Sequence, residues 1–195
     1  TDFHNGIETE RVGIIWDGVD LSVTERENFT WQIDSIVDDT TNLAITWTAT
    51  YKGVAVDPCN STITSTAPGF FNVEQPDGVL SMLRSYAQGD DYVLGQASSP
   101  GQASAVNVTT DNTVCAANVA TTTIPVDAAI PAGTRGIVAL QGKPQLPVPA
   151  GMTTEHWTYP LMFIRVPTPT YEFVVGTGAP ATARRLIADT GQCLK

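Results

Sequence analysis

Cysteines are the residues of this chain best suited to covalent chemistry, and there are three of them. Cys59 follows a strand-like run and Cys115 lies in a polar stretch, so both are predicted in loops that a disulfide could join. Such a bond would close a long ring, and chain entropy assigns it roughly 4 kcal/mol of stabilisation. The alternative is two unrelated buried thiols.

Cys193 has no partner in that scheme and lies close to Lys195 at the end of the chain. One interpretation is a reactive surface thiol. The other is that Cys193 is the first cysteine of a C-x-x-C-H motif, whose sulfurs bond the vinyl groups of haem and whose histidine ligates the iron. The second cysteine and the histidine would then follow Lys195, so spacing alone does not choose between the two.

Histidines and paired carboxylates are the remaining side chains that could hold a metal ion. The chain has two histidines, His4 and His156, and His156 is predicted to be a surface or loop-packing residue. Two acidic pairs fall in turn contexts, where carboxylates together with backbone carbonyls can bind Ca²⁺. The pairs are Asp38 with Asp39, and Asp90 with Asp91. Solvated turns are the commoner explanation of such pairs, so these are weak calcium candidates.

Composition and sequence motifs exclude several classes of function for this chain. The chain has no G-x-S-x-G motif and no histidine-rich zinc spacing, so we do not expect an enzyme. A net charge of −10 makes nucleic acid an unsuitable partner. No run approaches the roughly 18 apolar residues of a membrane helix, and residues 1–4 do not resemble a signal peptide. Any signal or anchor would lie outside this chain.

Period-two alternation is the main structural pattern. It is clearest over Leu43–Tyr51, and Lys52-Gly53 is predicted to turn this strand into Val54–Val56 as a hairpin. Similar alternating runs are separated from one another by Gly, Pro, Asp and Asn. Among these runs, only residues 79–87 could also form a helix. The predicted fold is all-β, an antiparallel Greek-key sandwich or split barrel with an Ig-like character. We expect one β domain over residues 1–180 and a connector over residues 181–195.

The C-terminal part of the chain carries a family resemblance. Tyr171–Gly176 is followed by the segment Ala183-Arg184-Arg185-Leu186-Ile187-Ala188-Asp189-Thr190-Gly191-Gln192-Cys193. This arrangement resembles the junction in the OmcA/MtrC family of outer-surface decahaem cytochromes of metal-reducing bacteria. There a β domain ends in A-R-R-x-(V/I)-(V/A)-D and continues into the first C-x-x-C-H of a haem domain. The segments Ile130–Leu140 and Leu43–Asp57 are also similar to strands of that family.

The resemblance implies a haem-free β domain of an extracellular, outer-membrane-associated multihaem cytochrome. Its partners would be adjacent haem-binding domains, outer-membrane electron-conduit proteins, and mineral, flavin or cytochrome acceptors. Haem c would be the cofactor of the parent protein, with Cys193 at the first attachment point and His4 as a candidate distal haem ligand. A solvated terminal histidine is the alternative for His4.

One feature departs from the family. Its β domains often hold a closely spaced cysteine pair, whereas Cys59 and Cys115 are far apart, so a structural disulfide is a safer expectation than a redox switch. The alternative function, from another class, is a free-standing secreted Ig-like binding or adhesion module.

Overall fold

The fold is seen in a computed structural model that describes residues 15–16, 19–71, 80–88, 91–94, 103–126, 130–151, 160–164 and 166–182. For residues 15–16, 19–23, 88 and 91–94 only the backbone is described. His4, His156, Asp90, Cys193 and the predicted connector beyond residue 182 lie outside these ranges, and Asp91 is described by its backbone alone.

The described residues form short strands and one short helix. In chain order they are β1 Ile15–Trp16, β2 Val19–Asp20, α1 Leu21–Arg26, β3 Phe29–Asp38, β4 Asn42–Tyr51, β5 Val54–Ala55, β6 Ser81–Gln88, β7 Asp91–Leu94, β8 Ser104–Asn107, β9 Thr113–Ala116, β10 Val119–Pro125, β11 Arg135–Gln141, β12 Gln145–Pro147, β13 Leu161–Phe163 and β14 Thr170–Val174. No helix in the described part of the chain is long and apolar enough to cross a membrane.

Two five-stranded antiparallel sheets pack face to face, and the predicted all-β sandwich is thereby confirmed. The first sheet has the order β3-β4-β10-β9, with β5 beside β4, and the second has the order β14-β11-β6-β7, with β8 beside β6. Strands distant in sequence are neighbours in both sheets, so the chain crosses from one sheet to the other and is not a simple meander. The pairs β1–β2 and β12–β13 form separate two-stranded sheets.

The first sheet follows the alternation seen in the sequence. Along β4 the buried residues are Leu43, Ile45, Trp47, Ala49 and Tyr51. The residues between them face outward and are mostly threonine. Threonine suits the outer face of a strand because its side chain is β-branched and its hydroxyl group can bind water. The outer face continues with threonines on β10, where the Thr46 and Thr121 hydroxyl oxygens lie 3.5 Å apart.

The predicted hairpin after β4 is present and has a clear local cause. Lys52 and Gly53 both adopt positive φ, at 52° and 74°, as the two central residues of a tight two-residue turn between β4 and β5 require. The Lys52 N–H donates to the Asn28 carbonyl at 2.8 Å, so the turn is also fixed to the segment before β3.

The core lies between the two sheets. The second sheet contributes Met82, Tyr86, Val138, Leu140 and Phe173, each at most 2% exposed. Phe70 is fully buried and reaches the core from the long loop after β5, where its ring lies 6.0 Å from Trp47 and 6.2 Å from Trp31. A loop residue therefore completes the packing between the sheets.

The structure decides one open alternative, corrects one local prediction and adds one element that was not predicted. Residues 79–87, for which helix and strand were both open, contain strand β6, because β6 lies centrally in the second sheet and buries alternate residues. Cys115 was predicted in a loop but lies in the edge strand β9. The helix α1 was not predicted, because six residues are too short to show a helical period.

Candidate functional site: the disulfide and the seam between the sheets

The structure contains the predicted disulfide between Cys59 and Cys115. Their Cα atoms are 5.9 Å apart and 56 residues separate them in sequence. Both cysteines are half-buried. The bond ties the loop after β5, which delivers Phe70 to the core, to the outermost strand of the first sheet.

Asp57 lies beside this disulfide. Its carboxylate oxygen accepts the Cys59 backbone N–H at 2.9 Å, and a carboxylate oxygen lies within 4.8 Å of both sulfurs. Three such groups resemble a metal site, but two sulfurs bonded to each other offer no thiolate ligand. In the oxidised state Asp57 caps the loop that carries Cys59.

Buried hydrogen bonds hold β9 in place from the inner side. The Trp47 indole N–H donates to the Thr122 hydroxyl at 3.0 Å, and the hydroxyl oxygens of Thr122 and Thr113 lie 2.9 Å apart. All three side chains are at most 5% exposed. Because a buried hydroxyl without a partner is costly, this chain of contacts fixes β9 against β10 and β4.

The two sheets meet along one side, where β3 runs beside β14; we call the contacts of Asp38, Trp31 and Gly178 across this line the seam. Asp38 is 8% exposed and uses both carboxylate oxygens. One accepts the Thr40 N–H at 2.8 Å, and the other accepts the Gly176 N–H at 2.6 Å. Asp38 thus turns the end of β3 and binds the turn after β14 with the same group.

Trp31 and Gly178 complete the seam. The Trp31 indole N–H donates to the Pro167 carbonyl at 2.6 Å, which links β3 to the approach of β14. At Gly178 a Cβ atom would clash with the Ile36 carbonyl oxygen and would lie 2.9 Å from the Asp38 nitrogen. Glycine is required here because the two backbones are in direct contact.

Asp39, the second residue of this acidic pair, is fully exposed and has a local role. One of its oxygens accepts the Asn42 N–H at 2.6 Å and the Thr41 N–H at 2.8 Å. These bonds, with Asn42 first, lower the pKa of the Asp39 carboxyl below its ordinary value of 3.8 because they favour the charged form. Both aspartates thus act as acceptors for backbone N–H groups, and the calcium site stays a prediction.

Replacing Asp38 by asparagine should lower the free energy of unfolding by about 1–3 kcal/mol, because an amide cannot accept both backbone N–H groups as a carboxylate does. Urea unfolding followed by tryptophan fluorescence measures the loss. Asp39→Asn is the matched control, since its carboxylate is exposed and joins no second sheet. Equal losses in the two variants would mean that the Asp38 carboxylate does not join the sheets.

A second polar cluster joins α1 to the hairpin. The Glu25 carboxylate accepts the Tyr51 hydroxyl at 2.7 Å and the Asn28 amide at 3.0 Å. Burial and then this hydrogen bond raise the pKa of Tyr51 above 10.0. The pKa of Lys52, whose ammonium lies 4.9 Å from the Tyr51 ring centroid, is also raised, chiefly by its contact with Tyr51.

These shifts predict a loss of stability in alkali. A group whose pKa is higher in the folded state contributes stability below its unfolded pKa, and the contribution disappears as pH rises through the folded value. For Tyr51 the decline should therefore begin near pH 10.0. Tyr51→Phe should be less stable at neutral pH by about 1 kcal/mol but lose stability less steeply above pH 10. Melting temperature measured against pH tests this, and parallel alkaline slopes would contradict it.

Of the residues singled out in the sequence, the structure brings together Cys59 and Cys115 and places Asp38 at the seam, while Asp39 lies next to it in an exposed turn. The sequence did not reveal the partners of Asp38 or the cluster around Glu25, because these contacts join segments far apart in the chain. One of these features has a local signal in the sequence. The Gly176-x-Gly178 spacing after a strand is typical of a turn with positive φ, which Gly178 adopts.

Comparison with known proteins finds a solved structure with a similar fold. No known protein-family model and no curated protein matches the sequence. Among solved structures, the chain is similar to the crystal structure of MtrC from Shewanella baltica OS185, with a TM-score of 0.53 and 13% sequence identity. The similarity covers 98% of this chain but only 29% of that chain. At this identity the match shows the fold alone, so the chain has an all-β sandwich fold that also occurs in part of MtrC.

Proposed function

We propose that the chain is a haem-free β domain of an extracellular multihaem c-type cytochrome of the OmcA/MtrC kind. In this role it spaces and shields the haem domains beside it, and the parent protein transfers electrons to external acceptors such as minerals, flavins or other cytochromes. The chain contributes no catalytic group of its own, and haem c belongs to the parent protein.

One observation carries the proposal: nearly the whole chain, 98% of it, matches the fold of a part of MtrC. The sequence of the Ala183–Cys193 segment, which resembles the β-to-haem junction of the family, is a second kind of support. Two separate features, a fold and a short sequence segment, thus lead to the same kind of parent protein.

The architecture suits a spacer. The disulfide fixes the edge strand β9 and the loop after β5, while the seam fixes β3 to β14. The seam thus opposes shear between the sheets and the disulfide braces the edge of the first sheet, so the domain can keep neighbouring haem domains at a constant separation. A structural disulfide also fits an exported protein, because such bonds persist in oxidising compartments.

The path at the end of the described chain fits the same role. Beyond β14, the Val174 N–H donates to the Ala179 carbonyl at 2.8 Å and the Ala181 N–H donates to the Glu172 carbonyl at 3.0 Å. Residues 179–181 are thereby hydrogen-bonded along β14. A following domain would accordingly be attached close to the second sheet.

The test uses the full natural reading frame that contains this chain, produced in a host that attaches haem to c-type cytochromes. We expect a pyridine haemochrome spectrum and an intact mass that includes several covalent haems. In this product, Cys193→Ser should lower the fraction of molecules that carry the haem at this motif, because its sulfur would form one of the two thioether bonds of that group.

Cys59→Ser with Cys115→Ser is the matched control and should leave the haem content unchanged, since neither sulfur belongs to a C-x-x-C-H motif. His4→Ala should change the low-spin haem spectrum if His4 is a distal ligand. A full-length product without covalent haem would refute the proposal and favour the secreted binding module.

A further inference from the structure

A cleft opens on the outer side of the second sheet, at the end where β11 begins. Its volume is about 410 Å³, within the range of small-molecule sites. Arg135, the first residue of β11, pairs with Val174 of β14, and both line the cleft together with Ala87 of β6. The returning segment after β14 forms the opposite wall with Ala181 and Thr182.

The polar side chains that line this cleft, among the residues the structure describes, are Arg135, Thr134 and Thr182, and all three can donate hydrogen bonds. Within the described residues, no hydrogen bond or ion pair engages the Arg135 guanidinium or the hydroxyls of Thr134 and Thr182. Arg135 and Thr134 are half-buried and Thr182 is exposed. Guanidinium presents five N–H donors in a planar fork that matches carboxylate and phosphate oxygens.

From this arrangement we propose that the cleft binds a small oxyanion, a phosphate or a carboxylate group, with Arg135 as the principal ligand and the Thr134 and Thr182 hydroxyls as additional donors. None of the described residues lining the cleft carries a carboxylate that could occupy the guanidinium. The site does not depend on the electron-transfer proposal, because it uses only groups of this domain.

The charges around the cleft affect how strongly it binds an anion. The whole chain carries a net charge of −10, so the rest of the protein on average repels an anion. Glu172 faces the same side of the second sheet, two residue pairs further along, because it is opposite Ile137 while Val174 is opposite Arg135. One Glu172 oxygen is buried without a hydrogen-bond partner. This carboxylate weakens anion binding by like-charge repulsion without neutralising Arg135 directly.

The experiment titrates the isotope-labelled chain with inorganic phosphate and, separately, with succinate, and follows backbone amide shifts by NMR at low ionic strength. Saturable shifts confined to residues 133–135, 174 and 181–182 are expected for at least one of the two anions. Which anion binds more tightly distinguishes a phosphate site from a carboxylate site. Added sodium chloride should weaken binding, because the contact is electrostatic and open to solvent.

Two substitutions act in opposite directions and make the test decisive. Arg135→Gln should weaken binding about tenfold to a hundredfold, since a charged hydrogen bond to the anion is lost. Glu172→Gln should strengthen it several-fold by removing the repulsion. Amide spectra of both variants outside the cleft serve as the check of folding. Unsaturable shifts, or equal affinities in the parent chain and Arg135→Gln, would overturn the proposal.

Discussion

Removing the disulfide with Cys59→Ser and Cys115→Ser should lower the free energy of unfolding by about 4 kcal/mol. The bond joins residues 56 apart in sequence, and chain entropy makes a ring of this length strongly restrictive for the unfolded state. For a chain of 195 residues this loss corresponds to a fall in melting temperature of about 8–16 °C.

The structure also predicts where that loss acts. Without the bond, β9 and the loop carrying Phe70 lose their covalent connection, so hydrogen exchange should accelerate first in residues 113–116 and 57–71. Cys193→Ser is the control for the loss of a sulfur atom and should leave stability nearly unchanged. Intact mass with and without reductant establishes the bond beforehand, and three free thiols would contradict the pairing.

Gly178→Ala should destabilise the domain by about 3–5 kcal/mol, the sum of a left-handed backbone cost and a steric clash. The added Cβ would clash with the Ile36 carbonyl oxygen, and a backbone atom cannot move aside as a flexible side chain can. The sheets would have to separate along the seam, so the Trp31 hydrogen bond to Pro167 should weaken as well.

Gly53→Ala separates the cost of the left-handed backbone from the cost of the steric clash. Gly53 has a φ of 74°, close to the 69° of Gly178, but a Cβ at Gly53 would meet nothing within 4 Å. It should therefore cost only about 1–2 kcal/mol, the backbone part alone. Denaturant unfolding of both variants gives the comparison, and similar losses at the two glycines would show that close approach of the sheets is not what stabilises the seam.

Local predictions from the sequence succeeded where one strand or one turn decides the outcome. The alternation over Leu43–Tyr51 identified β4 and its buried face, and Lys52-Gly53 identified the turn, because side-chain period and positive φ are properties of neighbouring residues. Burial of Trp47 and Tyr51 follows from the same pattern. The ambiguity at residues 79–87 arose because a short apolar run fits both periods.

The three cysteines show the same contrast between what neighbouring residues reveal and what the tertiary structure decides. Their number and surroundings were enough to predict a Cys59–Cys115 bond and to leave Cys193 over, whose haem attachment stays a prediction. Only the tertiary structure placed Cys115 in an edge strand rather than a loop, and set Asp57 beside the sulfurs.

By itself, the sequence determined an acidic, all-β domain with its clearest strand, Leu43–Tyr51, and its main hairpin. The tertiary structure decided which strands are neighbours, that Asp38 and Gly178 close the seam, and that Arg135 faces a cleft whose described lining residues include no carboxylate. The physical reason is the range of the interactions: alternation and turn geometry act between residues a few positions apart, whereas these contacts join segments such as Asp38 and Gly176, 138 residues apart. No local pattern records such a pairing.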